Sequence, residues 1–103
     1  MTVSQAVLLR PVPGRLDDFI SRLQKTKTLY EKNGATVNFY RTVAGADPNA
    51  VLLTSTVDDW DAWAKAAKAT EGSADYQAFE RESANDPAAE ILSSGILESF
   101  DLP

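Results

Sequence analysis

The chain has 103 residues, 44% of them hydrophobic and 24% charged, which suits one soluble domain with a single core and leaves no room for a second. It contains neither cysteine nor histidine, so disulfides, thiolate nucleophiles, Ser-His-Asp triads and histidine- or cysteine-held zinc or haem are excluded. A net charge of −5 argues against nucleic acid, whose phosphates require a basic surface.

Residues 3–12, VSQAVLLRPV, alternate as a strand, with Val3, Val7 and Leu9 on one face and Ala6, Leu8 and Val12 on the other. Pro11 and Pro13-Gly14 stop it. The stretch lacks the basic start and cleavage site of a signal peptide, and no run approaches the roughly 20 apolar residues that span a bilayer. The expectation is a cytoplasmic protein with no membrane partner.

From 15 to 33 the period becomes helical. Leu16, Phe19, Ile20, Leu23 and Tyr30 are expected to share the buried face, with Lys27 as a polar interruption. Asp17 and Asp18 lie early and Lys25, Lys27 and Lys32 late, complementing the helix dipole, and Gly34 supplies the stop. ATVNFYRTV, residues 35–43, alternates again. A loop at 44–50 leads to VLLTSTV, residues 51–57, and the pair reads as a β-hairpin.

Asp58 or Asp59 then caps a helix running through Ala69 and ended by Gly72. Ser73 caps a further helical segment, ADYQAFERESAN, which Asp86-Pro87 ends. A last strand is expected over 90–100, with a bulge or bend at Gly95. The order β-α-β-β-α-β is α+β and ferredoxin-like: a four-stranded antiparallel sheet with helices on one face. On the uncovered face fall Ala6, Leu8, Thr36, Asn38, Tyr40, Leu52, Thr54 and Thr56. That surface is too apolar to be left wholly to water, which points to a homodimer with two sheets face to face.

The stretch LLTSTVDDWDAWAKAAKATEGSADYQAFERE, followed by PAAEILSSGILESF, resembles the third strand, second helical region and last strand of the dimeric α+β barrel superfamily. That group includes the antibiotic-biosynthesis monooxygenases and NIPSNAP-like proteins. The resemblance implies a homodimer with a cleft in each subunit between helices and sheet, and a small aromatic or polyketide-like ligand. Some relatives oxidise planar phenolic polyketides without a cofactor; others degrade haem through a histidine ligand. Where relatives often carry a histidine after strand three, this chain reads AWAKAAKA, which excludes haem degradation and weakens the monooxygenase reading.

Trp60, Trp63, Ala64 and Ala67 are expected on one helical face, with Trp60 in the core and Trp63 open to either core or pocket. Tyr30, Tyr76 and Phe79 could join Trp63 at one end of the sheet, with Ser55 as a further ligand-binding residue. Tyr30, Arg41 and Tyr76 are the candidates for catalysis: tyrosine can donate to a developing phenolate, and arginine can pair with an enolate or with a carboxylate of its own chain. Asp58, Asp59 and Asp61 cluster at a helix start, where capping accounts for them better than a metal. No cofactor is expected. The leading reading is a small-molecule-binding homodimer, with cofactor-independent oxygenation or isomerisation of planar ionisable substrates as its chemistry. The alternative is a non-catalytic structural or ligand-sensing dimer whose cleft is filled by Trp63, Tyr76 and Phe79.

Overall fold

The structure, a computed structural model, describes residues 1–103. Its elements are β1 (Val3–Pro11), α1 (Leu16–Lys32), β2 (Thr36–Arg41), β3 (Val51–Val57), α2 (Trp60–Glu71), α3 (Ala74–Asn85) and β4 (Ala89–Glu98). The strands form one antiparallel sheet in the order β2-β3-β1-β4, with β2 and β3 joined as the expected hairpin. The helical half of the second βαβ unit is two helices meeting at Gly72-Ser73.

The helix ends follow local chemistry. Gly34 adopts φ 96°, the left-handed conformation that releases the chain from α1. Asp59 caps α2 by accepting from the Ala62 amide at 2.8 Å, and Ser73 caps α3 by accepting from the Tyr76 amide at 3.3 Å.

Pairing register fixes which side chains share a sheet face, because directly opposed residues point the same way. Val3, Gln5, Val7 and Leu9 oppose Val57, Ser55, Leu53 and Val51, and this set lies under the helices. Ala6 and Leu8 oppose Thr54 and Leu52, which in turn oppose Asn38 and Tyr40. The uncovered face therefore carries the residues expected of it, and the Ser4 and Thr56 hydroxyls bond across it at 2.7 Å.

Three expectations are corrected. Leu16 and Ile20 are not in the core; they stand 59% and 45% exposed, and α1 turns Phe19, Leu23, Thr26 and Tyr30 inward instead. Phe19, Leu23, Thr26 and Tyr30 recur at i, i+4, i+7 and i+11 and make one narrow stripe against the sheet, outside which fall Leu16 on the first turn and Ile20 on the flank. Arg15, which caps α1, and Arg22 within it both reach Asp86 just past α3, and Arg22 also donates to the Asp86 carbonyl.

Trp60 is likewise outside the core at 44% exposure, its indole N–H donating to Glu98 on β4. Ala64 is exposed too, and the inward stripe of α2 is Trp63, Ala66, Ala67 and Thr70. Finally, the bulge in β4 falls at Leu92, between the pairs Leu8–Ser93 and Leu9–Ile91, while Gly95 pairs regularly with Ala6.

Candidate functional site

Under the helices, a cavity of about 230 Å³ opens where the end of α1, the middle of α2 and the start of α3 meet the sheet. Its floor comes from an irregularity in two strands. The inward face of β1 reads Val3, Gln5, Val7, Leu9 and that of β3 reads Val57, Ser55, Leu53, Val51. The one polar residue of the first set lies directly opposite the one polar residue of the second. Gln5 and Ser55 thus form a polar patch in an otherwise apolar floor.

Tyr30, Trp63 and Tyr76 supply the aromatic lining, one from each helix. Ala35, Ala66 and Ala67 are the reason that space remains: three methyl groups stand where larger side chains would fill the layer. Thr70, buried at the end of the α2 stripe, accepts from Asn33 Nδ2 at 2.9 Å, and Asn33 also donates to the Leu29 carbonyl at 3.2 Å. This bridge ties α1 to α2 beside the cavity. Glu71 completes the lining, and no lysine or arginine takes part in it.

The polar groups of the floor are uncommitted. Ser55 is 7% exposed and its hydroxyl makes no hydrogen bond within the chain, yet no polar side-chain atom is sealed away without a partner. The hydroxyl therefore faces the open space of the cavity. Gln5 and the Trp63 indole nitrogen also lack intramolecular partners, in contrast to Trp60, which bonds Glu98.

The rings of Tyr30 and Tyr76 lie 6.2 Å apart, tilted by 36°. Burial pushes the Tyr30 hydroxyl above its ordinary range; the Tyr76 side chain pulls it partly back and the nearby Glu80 charge adds to the rise. Burial likewise raises Tyr76, reinforced by Tyr30 and Glu80. Both phenols are accordingly protonated donors at neutral pH and cannot serve there as bases.

Of the ligand-binding candidates, the structure brings Tyr30, Ser55, Trp63 and Tyr76 together on this cavity and leaves Phe79 out. Phe79 instead lines a separate cavity of about 200 Å³ towards β4, together with Phe19, Leu23 and Ile91. Arg41, the remaining catalytic candidate, is exposed at the end of β2 opposite Val51, takes no part in the lining and forms no ion pair. Sequence reasoning missed Gln5 and Glu71. A signal for Gln5 was present, since it is the polar break in an apolar alternation, as Ser55 is in β3. Glu71 has no such mark, because it enters the site only through the position of α2.

No protein-family profile and no curated protein matches this sequence. Solved structures do share the fold. A NIPSNAP family protein from Agrobacterium tumefaciens is 16% identical with a TM-score of 0.71, over 99% of this chain and 89% of that one. An uncharacterised NIPSNAP domain protein from Burkholderia xenovorans is 18% identical with a TM-score of 0.70, over 97% of this chain and 95% of that one. SnoaB, a cofactor-independent oxygenase from Streptomyces nogalater, is 13% identical with a TM-score of 0.68, over 98% of this chain and 95% of that one. The fold is the one these NIPSNAP and monooxygenase-like proteins have in common, as the resemblance in the sequence implied.

Proposed function

We propose that this chain binds a compact organic molecule in the cavity between its helices and its sheet. The observation that carries the reading is the set of unpartnered polar groups, Gln5, Ser55 and the Trp63 indole nitrogen, opening onto an aromatic-lined space. Small-molecule sites have this composition: an apolar wall with a few convergent polar groups. At about 230 Å³ the cavity lies below the ~300–1,000 Å³ of drug-sized sites, which favours a ligand of one or two rings.

The chain has two tryptophans, so nuclear magnetic resonance of the indole N–H groups tests the reading directly. On titration with phenol, the Trp63 signal moves and the Trp60 signal, bonded to Glu98 outside the cavity, stays. Two unmoved signals would refute it.

The binding unit is a homodimer in this proposal. Seven hydrophobic residues are buried within the single chain, a small core for its length, while Tyr40 and Leu97 are exposed on the uncovered sheet face beside the part-buried Ala6, Leu8 and Leu52. Light scattering after size exclusion distinguishes two 11.2-kDa chains from one.

Cofactor-independent oxygenation is the second reading, supported by the fold shared with SnoaB and by two protonated tyrosines that can donate to a developing phenolate. It predicts oxygen consumption with a small hydroxynaphthalene, reduced by Tyr30→Phe and Tyr76→Phe. No consumption leaves a binding protein without catalysis.

A further inference from the structure

We propose that the cavity selects a compact organic cation, an alkylated ammonium, over neutral and anionic molecules of the same size. The inference rests on the cavity being a binding site and concerns what it takes.

Three aromatic rings, those of Tyr30, Trp63 and Tyr76, line a space of about 230 Å³. A cation beside aromatic rings is attracted by their negative faces, and the attraction grows where water is displaced. Ammonium groups bearing methyl substituents suit such a lining well, because they give up little hydration on entering it. Trp63 and Tyr76 border open space here, because the neighbouring lining positions 35, 66 and 67 carry only alanine.

The one charged residue in the cavity's lining is an acid. Glu71 stands in its lining, and Glu80 acts electrostatically on both Tyr30 and Tyr76. No lysine or arginine lines it, and the nearest catalytic candidate of positive charge, Arg41, lies away from it. An anion placed in this cavity would meet the Glu71 carboxylate with no counter-charge in the lining, whereas a cation would be stabilised by it. The tyrosines contribute neutral rings, so the negative charge of the lining comes from Glu71 alone. Gln5 and Ser55 on the floor offer oxygen acceptors and donors for a hydroxyl or carbonyl carried by the same ligand.

Choline and its uncharged carbon isostere, 3,3-dimethylbutan-1-ol, have nearly the same shape and differ by the charge. Titrating the intact protein with each, and with benzoate, while following the Trp63 indole signal tests the inference. Choline binds about tenfold or more tightly than the alcohol, and benzoate more weakly than both. Glu71→Gln, at an exposed helix end where folding is not at stake, weakens choline severalfold and leaves the alcohol unchanged. Equal affinity for choline and the alcohol, or tighter binding of benzoate, overturns the proposal. If phenol moves the Trp63 signal and choline does not, the cavity is a binding site and the cation preference is wrong. If neither moves it, both readings fall.

Discussion

Two cavities of similar size lie under the helices, about 230 Å³ beside Tyr30 and Tyr76 and about 200 Å³ beside Phe19 and Phe79. They differ in how far the chain uses their polar lining. At the Phe19 end Arg22 donates to the Asp86 carbonyl and the Thr26 hydroxyl donates to the Arg22 carbonyl at 2.9 Å, which leaves the Ser83 hydroxyl as the one polar side-chain group of the lining without a partner in the chain. At the Tyr30 end Gln5, Ser55 and Trp63 have polar atoms with no partner. Size alone does not tell the two apart. The difference lies in how many polar groups stay free: one hydroxyl at the Phe19 end, against Gln5, Ser55 and the Trp63 indole nitrogen at the Tyr30 end.

The largest effect is expected at the Phe19 end. Phe19 is 2% exposed, and Phe19→Ala should cost about 3–5 kcal/mol in denaturant unfolding, the range for deleting a buried aromatic ring. Trp63→Ala removes a larger side chain from a half-open place, so its loss should be smaller, about 1–3 kcal/mol. A loss at Trp63 equal to that at Phe19 would mean that both ends are core, and the comparison would break.

Asp86 sharpens the contrast through pH. The Arg15 guanidinium holds its carboxyl below the ordinary value of 3.8, with Arg22 adding to the effect. A carboxyl whose folded pKa is depressed contributes stability that is present above its unfolded pKa and lost as pH falls through the lower folded value. Asp86→Asn should therefore lower the denaturation midpoint slightly at pH 7, and the deficit should shrink as the pH is lowered through the acid range below 3.8. A deficit that persists in acid would assign the effect to something other than this charge. The smallest effect belongs to Ser55→Ala, within about 0.5 kcal/mol of the parent, because the hydroxyl has no bond to lose. A loss above about 1.5 kcal/mol would reveal a partner for Ser55 and remove it from the site.

The two tryptophans show how far the sequence could be read. Their spacing placed them side by side, and the rings do meet edge-on at 6.5 Å and 74°. Which of them turned inward was misjudged for Trp60, because Glu98, 38 residues along the chain, gives its indole an acceptor outside the core. Of the site, Tyr30, Ser55, Trp63 and Tyr76 were legible as aromatics and a hydroxyl on faces turned towards the helix layer. Phe79, three residues on from Tyr76, lines the other cavity; the two positions lie only about 60° apart around α3, so spacing alone does not separate their destinations.

What the sequence by itself determined is what depends on near neighbours. The alternation of β1, β2 and β3, the caps at Asp59 and Ser73, the stop at Gly34 and the resulting order of elements all follow from residues within one turn or one strand of each other. The rotation of α1, the place of the bulge and the gathering of four predicted residues around one cavity were decided by tertiary structure. The contacts that accompany them join distant parts of the chain: Arg15 to Asp86, 71 residues apart, and Asn33 to Thr70, 37 apart. A helix of given hydrophobicity can turn several faces towards a sheet at similar cost. The contacts available once the sheet has assembled choose among them.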